Sequence, residues 1–568
     1  MSLYLKQSWC LGRFLVLVFV AEFAIHGFSN EEKAPNLSFI QEGTSAPEKL
    51  RYDYIIVGGG TAGCAIAATL SSKAKVLVLE RGGSPFSNTT KIRKENLVPT
   101  LTDTSPDSFS QAFVSEDGVP NNRARVLGGG TAINGGFYSR AEPLFIKQTG
   151  LDEALVEDSY KWVERKLVYK PTLFRWQTAV RNGLLEAGVL PFNGFTYDHI
   201  NGTKSSGTIF DKNGNRHTAA NLLEYADPRR IKVYVHAVVN KIIFTTQGGS
   251  RPKAQGVIFY DARGGKHRAF LKSVSRSEII LATGAIGSPQ LLMLSGIGPA
   301  SQLEPLGIKV VLNQTMVGRE MADNPSNGLI IPSPVLVDLD APTTVGITKF
   351  GNYIESFSGY DFIALYGSSS GSQSLPNDFT VTFNKMGESS MSSREAMANP
   401  ITNLGLILEK FVGPISKGYL ELRNTNATDN PKVTFNYFQA PEDLRRCVQG
   451  METMIDVVNS KSFSPFRYKN TTTQDLLNMM LNLKQNHRNS TVTSLEQFCR
   501  DSVNTIWHYH GGCVVGKVVD RDYKVLGVES LRVIDGSTFN FSPGTNPQAT
   551  TMMLGRYMGR RILQDRDR

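Results

Sequence analysis

Two residues near the C-terminus have the chemistry to move a proton: His508, in the run Trp507–His510, and Asn546. An imidazole titrates near neutral pH and serves as a general base, while an amide can hydrogen-bond the same substrate oxygen and fix its position. The pair could take the proton from a hydroxyl group while the adjacent carbon–hydrogen bond reacts. His510 is a rival base, because residues two apart in a strand point to the same face.

A glycine-rich turn near the start of the globular part predicts what this pair works with. The segment is interpreted as a βαβ unit made of strand Tyr54–Val57, the glycines Gly58, Gly60 and Gly63, helix Ala65–Leu70, strand Val76–Leu79 and the acid Glu80. Glu80 follows Gly58 by about 20 residues, the spacing of a ribose-binding acid in dinucleotide-binding folds. The glycines allow a tight turn, close approach of the backbone to a pyrophosphate, and packing of helix on strand.

Length and composition set the broad class. The chain has 568 residues, which predicts two domains or more. Its net charge is +10, but the basic residues are scattered and no nucleic-acid module is found, so a nucleic-acid partner is rejected. The charge fits either a soluble basic surface or attraction to an acidic matrix outside the cell. No metal-ligating motif is found.

The first 29 residues predict a secretory signal peptide. Lys6 and Arg13 supply positive charge around the start of the apolar run Phe14–Ala21, which is too short to span a membrane. Because Asn540 lies close to Asn546, we expect it to be buried and unglycosylated. Secretion is also indicated by Asn-x-Ser/Thr glycosylation motifs at Asn36, Asn88, Asn201, Asn313, Asn426, Asn470, Asn489 and Asn540.

Two longer stretches resemble the signatures of the glucose–methanol–choline (GMC) oxidoreductases. Ala124–Asn134 resembles the core of the first signature, and Gly284–Gly298 is similar to the second throughout. With the fingerprint and the His/Asn pair, four motifs stand in the family's order between about Tyr52 and Leu563. The resemblance implies bound FAD. Some relatives attach FAD to a His where this chain has Ile133, so the FAD is expected to be noncovalent.

The resemblance also implies the architecture. We expect an α/β fold (α+β overall), with a discontinuous Rossmann-like FAD-binding domain and a sheet-and-helix substrate-binding domain. Strands are predicted at Val233–Phe244 and Leu531–Asp535, and a helix at Ala549–Leu563. The expected segments are a signal peptide 1–29, a flexible leader 30–47, FAD-binding parts 48–150, 201–320 and 505–568, a substrate or cap segment 151–200, and a substrate-binding domain 321–504.

Residue roles follow from the same resemblance. His508 and Asn546 are the expected catalytic pair, and the family's His-x-x-Gly spacing, met by Gly511, favours His508 over His510. Glu355 and Trp507 are expected to face the substrate, with packing as the alternative for Trp507. The residues expected to bind FAD are Gly58, Gly60, Thr61, Gly63, Glu80, Arg81, Val126, Thr131, Asn134, Val239, Trp507, Asp535, Gly536, Pro547 and Gln548.

Within the family the chain resembles a secreted plant branch of HOTHEAD-type dehydrogenases and FAD-containing (R)-mandelonitrile lyases. The lyases carry a second catalytic His where this chain has Asn546, and an active-site Cys where Glu355 aligns. Both differences weigh against cyanohydrin cleavage. Cys447 and Cys499 match a disulfide pair of the lyases, so that bridge is expected here.

The expected function is that of a secreted FAD-dependent oxidoreductase which converts a small-molecule alcohol to an aldehyde. His508 would abstract the hydroxyl proton as a hydride passes to flavin N5. Analogy with the plant branch suggests a long-chain ω-hydroxy fatty acid as the donor. Two alternatives stay open: a hydroxynitrile lyase, and a secreted flavoprotein without catalysis, against which the retained His508 and Asn546 argue.

Overall fold

Six parallel strands form the first sheet of the computed structural model, which describes residues 37–567 except 247–250, 273–275, 368–402 and 486–489. The expected signal peptide lies outside the described residues. We call these strands the parallel sheet, and their spatial order is Ile40–Glu42, Ile231–Val235, Val76–Leu79, Tyr54–Val57, Glu278–Leu281 and Leu531–Val533.

The two central strands, Tyr54–Val57 and Val76–Leu79, have the predicted bounds. They are buried on both faces, which explains their uninterrupted apolar sequence. Ile56 belongs to a hydrophobic core on one face and Ile55 to a second core on the other. Helix Thr61–Leu70 connects the two strands and packs in the first of these cores, so the predicted βαβ unit is confirmed.

The C-terminal helix Gln548–Asp567 packs directly on helix Thr61–Leu70. A Cβ atom added at Gly555 would lie 2.5 Å from the carbonyl oxygen of Ala62, closer than any real side chain can approach. Glycine therefore sets the separation of the two helices. This contact joins the N-terminal fingerprint to the segment that follows Asn546.

Two sequence predictions about the parallel sheet are wrong. Ile40–Glu42, assigned to the flexible leader 30–47, is an edge strand, because it pairs in parallel register with its neighbour. The single strand predicted over Val233–Phe244 is two strands, since His236 has a φ of 49° and turns the chain there. The second of them, Val238–Thr245, belongs to another sheet.

That second sheet has four strands and lies beside the parallel sheet in the same hydrophobic core. The first two pairs are antiparallel and the last is parallel. Its spatial order is Val238–Thr245, Lys253–Tyr260, Lys266–Leu271 and Lys49–Tyr52.

A third sheet of seven strands, antiparallel except for its last pair, carries the other half of the molecule. Gly202–Ser205 was assigned to the FAD-binding part 201–320, but it hydrogen-bonds to Thr344–Ile347 and so belongs to this sheet. We call it the seven-stranded sheet, and its order is Asn504–Thr505, Pro325–Pro332, Leu404–Phe411, Asn352–Ser358, Thr344–Ile347, Gly202–Ser205 and Phe192–Phe195.

Shorter strands make four further small sheets. These are Phe137–Tyr138 with Gly207–Thr208, Ser110–Val114 with Pro120–Ala124, Ile297–Gly298 with Leu312–Asn313, and Arg319–Met321 with Gly418–Glu421 and Lys432–Thr434. The remaining α-helices are Leu97–Thr102, Pro143–Thr149, Glu153–Leu167, Arg175–Glu186, Gly284–Leu294, Ala300–Leu303, Phe362–Gly367, Pro441–Asn459, Thr473–Gln485 and Leu495–Asp501. Among the described residues, no helix is both long and apolar enough to cross a membrane.

The helices Pro441–Asn459 and Leu495–Asp501 pack against the seven-stranded sheet in one hydrophobic core. A disulfide between Cys447 and Cys499 joins them across 52 residues, which confirms the expected bridge. Cys64 and Cys513 are free and buried.

Candidate active site

Loops of the parallel sheet, strands of the seven-stranded sheet and the C-terminal segment line one long cavity. The residues that line the cavity extend in the sequence from Val57 to Thr551. The predicted site residues that line it are Gly58, Gly60, Thr61, Glu80, Arg81, Val126, Asn134, Val239, Glu355, Trp507, His508, Asp535, Gly536, Asn546, Pro547 and Gln548.

The turn after strand Tyr54–Val57 requires glycine for steric reasons. Gly58 has a φ of 95°, and a Cβ there would lie 2.6 Å from the carbonyl oxygen of Ala282. A Cβ at Gly63 would lie 2.0 Å from the carbonyl oxygen of Gly58. Gly63 therefore allows the helix to pack on the turn, and it does not itself line the cavity.

Other glycines leave the backbone bare toward the cavity. A Cβ at Gly60 would meet no protein atom nearer than 3.6 Å, and one at Gly130 none nearer than 4.0 Å. Gly284 and Gly536 have nothing within 4 Å of that position. All four line the cavity. Side chains here would fill open space rather than clash with protein, so this bare cradle fits a bound FAD whose pyrophosphate approaches the backbone.

Glu80 stands at the end of strand Val76–Leu79, where it also lines the cavity. Its two carboxylate oxygens accept hydrogen bonds from the backbone N–H groups of Gly59, at 2.9 Å, and Gly82, at 2.8 Å. Burial raises the pKa of this carboxyl, and the two N–H groups oppose that rise. These two bonds fix the orientation of the Glu80 carboxylate at the wall of the cavity.

Two arginines line the cavity near Glu80, Arg81 half-buried and Arg123 buried. Arg81, a predicted site residue, donates to Gln111 at 2.5 Å and to the carbonyl oxygen of Ala124 at 2.8 Å. Arg123 was not predicted, although it directly precedes the first family signature. Burial lowers the pKa of Arg123 to about 10.

Thr131, predicted to bind FAD, does not line the cavity. Its hydroxyl donates to the carbonyl oxygen of Gly128 at 2.6 Å and accepts from the amide of Ala219 at 2.8 Å. It stabilises the glycine-rich loop instead. Three residues on, the Asn134 amide lines the cavity and donates to Gln548 Oε1 at 2.9 Å, which joins this loop to the C-terminal helix.

Asp535 follows the last strand of the parallel sheet and accepts hydrogen bonds at the start of helix Gly284–Leu294. Its Oδ2 receives the backbone N–H of Gly284 at 2.9 Å and the hydroxyl of Ser288 at 2.6 Å. Its Oδ1 receives the N–H of Ser537 at 2.8 Å. A carboxylate at a helix N-terminus is favourable, and this one fixes the loop that carries Gly536.

The run Trp507–His510 is not a strand, contrary to the assumption behind the rivalry between its two histidines. Trp507 has a φ of 58°, which redirects the chain at that residue. Its side chain lines the cavity, and its buried Nε1 has no hydrogen-bond partner among the described residues.

His508 is buried and lines the cavity. The Asn324 amide lies 3.4 Å from the imidazole, measured from Nδ2 to Nδ1, and it also donates to Ser542 at 3.1 Å. Nε2 of His508 has no hydrogen-bond partner in the described part of the chain. Burial, then the positive charge of Lys410, then His510 lower the pKa of His508 well below its usual value. The ring is thus neutral and able to accept a proton.

His510 does not line the cavity. Its Nδ1 lies 3.1 Å from the carbonyl oxygen of His508, and its backbone pairs with Ala322 in both directions. These contacts are those of a structural histidine. The structure therefore distinguishes His508, which lines the cavity, from His510, which does not. Their spacing in the sequence could not make this distinction.

Asn546 lies against a buried ion pair formed by Glu355 and Lys410. The Lys410 Nζ is 2.9 Å from Glu355 Oε2, and the two side chains are 0% and 1% exposed. With its nitrogen facing Glu355, the Asn546 amide donates to Oε1 at 2.8 Å and to the carbonyl of Thr545 at 3.3 Å. In the reverse orientation its oxygen would be 3.4 Å from Lys410 but would abut the Glu355 oxygen, so we assign the nitrogen to Glu355.

Sequence reasoning missed Asn324 and Lys410. Asn324 lies in a fully buried stretch that ends at Pro332, and the neighbouring sequence carries no sign that this residue has a function. Lys410 and its neighbour Glu409 interrupt an apolar strand, and a charged residue in such a strand is unusual, which is the local signal that could have identified Lys410.

The prediction that Asn540 is buried is wrong. The residue is exposed, because the chain passes the surface between Phe539 and the loop that returns to Asn546. The other glycosylation motifs within the described residues are also exposed, at Asn88, Asn201, Asn313, Asn426 and Asn470.

Comparison with known sequences matches most of the chain to one family. Residues 52–326 match the N-terminal domain and residues 414–555 the C-terminal domain of the GMC oxidoreductases. Protein HOTHEAD of Arabidopsis thaliana is 51% identical over 529 residues, covering 91% of this chain and 88% of the relative. The Arabidopsis "(R)-mandelonitrile lyase-like" protein is 46% identical, covering 94% and 93%. "Sinalpyl alcohol oxidase Nec3" of Nesocodon mauritianus is 42% identical, covering 93% and 92%.

Solved structures share the fold at low sequence identity. A formate oxidase superposes with a TM-score of 0.74 and 18% identity, covering 92% of this chain and 100% of that one. A pyridoxine 4-oxidase gives a TM-score of 0.70 and 18% identity, covering 90% and 99%. The expected α/β architecture is thus confirmed.

Proposed function

The chain belongs to the GMC oxidoreductase family, and we propose that it is a secreted enzyme which oxidises an alcohol to an aldehyde with His508 as the base. As a family member it is an FAD-dependent oxidoreductase that acts on CH–OH donors. FAD, when bound, supplies the acceptor for the hydride that leaves the carbinol carbon. The cradle of bare glycines, with Glu80 and Gln548, would hold it.

The observation that carries the proposal is that His508 and Asn546 line the same cavity as the dinucleotide-binding glycines. The fingerprint alone predicts a cofactor, and a histidine alone is more often structural. Placed in one cavity, they give a base within reach of a substrate that lies beside the cofactor.

His508 has the properties that this role requires. This role requires the tautomer that carries the ring proton on Nδ1, directed at the Asn324 side chain, because Nε2 then keeps the lone pair that accepts the hydroxyl proton. The Asn324 amide oxygen, which has no partner among the described residues, can accept that Nδ1–H when the amide is turned. Because its pKa is lowered, the imidazole is in its basic form at neutral pH. Asn546 supplies an amide beside it that can fix the substrate oxygen.

The cavity wall near the catalytic pair suits an apolar donor. Leu101, Ile133, Phe357 and Ile506 line the cavity and belong to the same hydrophobic cluster as Trp507. An aliphatic or aromatic alcohol would bury its apolar part there. A long-chain ω-hydroxy fatty acid is the donor suggested by the plant branch, and it is compatible with this lining.

Secretion is supported by features of the described chain. The Cys447–Cys499 disulfide is stable in an oxidising compartment. The asparagines of the six glycosylation motifs within the described residues are exposed, so glycans could be attached to them.

The test is anaerobic reduction of the bound flavin. The full chain is expressed in a eukaryotic secretory host, purified from the medium, and mixed under nitrogen with ω-hydroxy fatty acids, aromatic alcohols or mandelonitrile. We expect an alcohol to bleach the visible flavin band. His508→Ala should slow bleaching by about 10² to 10⁴-fold, the usual contribution of a general base.

His510→Ala is the matched control, because it removes an equally buried imidazole two residues away that does not line the cavity. Its bleaching rate should stay close to that of the wild type. Release of benzaldehyde from mandelonitrile without bleaching by any alcohol would overturn the proposal in favour of the lyase. Full FAD loading with neither reaction would favour a non-catalytic role.

A further inference from the structure

A lysine and a glutamate are fully buried beside the catalytic pair. Glu355 lies in strand Asn352–Ser358 and Lys410 in strand Leu404–Phe411. Glu355 is paired directly with Leu408, so Lys410 is its diagonal neighbour on the same face of the seven-stranded sheet. The two charges meet at 2.9 Å, and Glu355 lines the cavity.

Stability gives no reason for this ion pair. Removing two charges from water costs several kcal/mol per ion, and apolar residues of similar volume commonly replace such pairs without loss of stability. On the face that carries the pair, the neighbours along the two strands are Tyr353, Phe357 and Leu408, so a hydrophobic pair could pack here. A local function of the charges is the better explanation.

The contacts of Glu355 show what that function is. Its Oε2 accepts from Lys410 at 2.9 Å, and its Oε1 accepts from the Asn546 amide at 2.8 Å. Each carboxylate oxygen therefore already has a donor from the protein. The family resemblance suggested that Glu355 contacts the substrate. Glu355 instead accepts a hydrogen bond from Asn546, the residue proposed to contact the substrate.

An asparagine amide can turn by 180° with little change in shape, which exchanges its donor and its acceptor. A catalytic amide that turned freely would present the wrong group to the substrate oxygen part of the time. A fixed acceptor at Glu355 Oε1 removes that freedom, and Lys410 keeps the acceptor in place.

We propose that Glu355 is a positioning residue of the alcohol-oxidising site: held by Lys410, it fixes the orientation in which the Asn546 amide meets the substrate hydroxyl. This inference rests on the proposed function. It adds to it a second layer of residues that act through Asn546.

Two double variants isolate the contact. K410M/E355Q removes both charges but keeps an amide oxygen that can accept from Asn546, whereas K410M/E355L removes the acceptor as well. Neither leaves a buried unpaired charge, so both should fold and load FAD. We expect K410M/E355Q to lose less kcat than K410M/E355L, because its amide oxygen can still accept from Asn546 although the glutamine amide is itself free to turn. K410M/E355L should lose about 100-fold in kcat with KM nearly unchanged, the cost of a small misplacement of a reacting group.

Glu409→Gln is the matched control. Glu409 is equally buried in the same strand, but it bonds to Asn352 at 3.1 Å and does not line the cavity. Burial raises the pKa of Glu409 well above its usual value, and a glutamine has nearly the same shape as the carboxyl group that it replaces. Its kcat and KM should match those of the wild type.

Equal kcat values for the two double variants would overturn the inference, as would a loss carried entirely by KM. If the wild type oxidises no alcohol, the proposed function fails separately, and the same variants are compared in mandelonitrile cleavage. If nothing turns over, Asn546→Ala is added to each double variant. The contact then predicts a larger drop in melting temperature in the Gln background than in the Leu background, and equal drops would refute it.

Discussion

At the scale of single residues, the protonation state of His508 determines the pH range in which the proposed enzyme is active. An exposed histidine base would lose activity below about pH 6.5, where the imidazole becomes protonated. Burial and the nearby Lys410 charge depress the pKa of His508, so the ring stays basic at lower pH. We therefore predict that the acid limb of the pH profile of kcat/KM lies clearly below pH 6.5. It is measured by flavin reduction at a series of pH values.

The nearby Asp323 needs to be separated from this effect. Burial raises the pKa of its carboxyl to about 6, and the carboxylate accepts from Thr505 at 2.6 Å and Tyr437 at 2.5 Å. A limb near pH 6 that disappears in Asp323→Asn would belong to Asp323. A limb at or above pH 6.5 that Asp323→Asn leaves unchanged would contradict the neutral state assigned to His508.

Residue identity could be predicted from sequence where the chemistry is local. The glycines of the fingerprint and Glu80 follow a fixed spacing because one turn and one ribose dictate it. Lys410 follows no such spacing, since its partner Glu355 is brought to it by strand pairing. Gly63 and Thr131 were predicted to bind FAD, yet both act by packing or bonding within the loops that form the cradle.

At the scale of elements, strands that are apolar throughout were predicted with correct bounds, as at Tyr54–Val57. Predictions failed where pairing with a neighbouring strand determines the structure and the local sequence pattern does not. Ile40–Glu42 has the polar composition of a leader but becomes a strand because a parallel edge is available to it. The break at His236 depends on a positive φ, which the local sequence does not reveal. The order of the seven-stranded sheet likewise depends on contacts between distant segments.

The disulfide between two helices makes a prediction about stability. Cys447 and Cys499 close a loop of 52 residues, so losing the crosslink restores entropy to the unfolded chain. The double variant C447A/C499A should lose about 4 kcal/mol of unfolding free energy by the chain-entropy model. Denaturant unfolding of both proteins measures the difference.

The control for this experiment is Cys513→Ala. Cys513 is as buried as the bridged pair but carries no crosslink, so its variant reports the cost of a small cavity alone. A double variant that is no less stable than this control would mean that the bridge does not constrain the unfolded chain.

At the scale of the whole molecule, many separate segments line the cavity, and three of them carry most of the predicted cofactor-binding residues. The fingerprint turn, the glycine-rich loop near Gly130 and the C-terminal loop from Asp535 to Gln548 all line it. The backbone N–H of Gly128 donates to Gly59 at 2.7 Å, and the Asn134 amide donates to Gln548 at 2.9 Å, so each bond joins only two of the three segments. A ligand that touches all three would therefore act as the common partner that holds them together.

Removal of FAD should consequently loosen these three segments together and leave the rest of the fold intact. A ligand present at 100 times its Kd stabilises the folded state by about 2.7 kcal/mol, so the protein without FAD should melt at a lower temperature and recover when FAD is added. Hydrogen exchange should then rise in residues 58–63, 126–136 and 535–548, because they share the empty cradle. Helix Pro441–Asn459 is joined to helix Leu495–Asp501 by the disulfide and packs on the seven-stranded sheet. It is the internal control, and its hydrogen exchange should not change. Loss of protection confined to one of the three segments, or an unchanged melting temperature, would show that the protein scaffold holds the cradle without the cofactor.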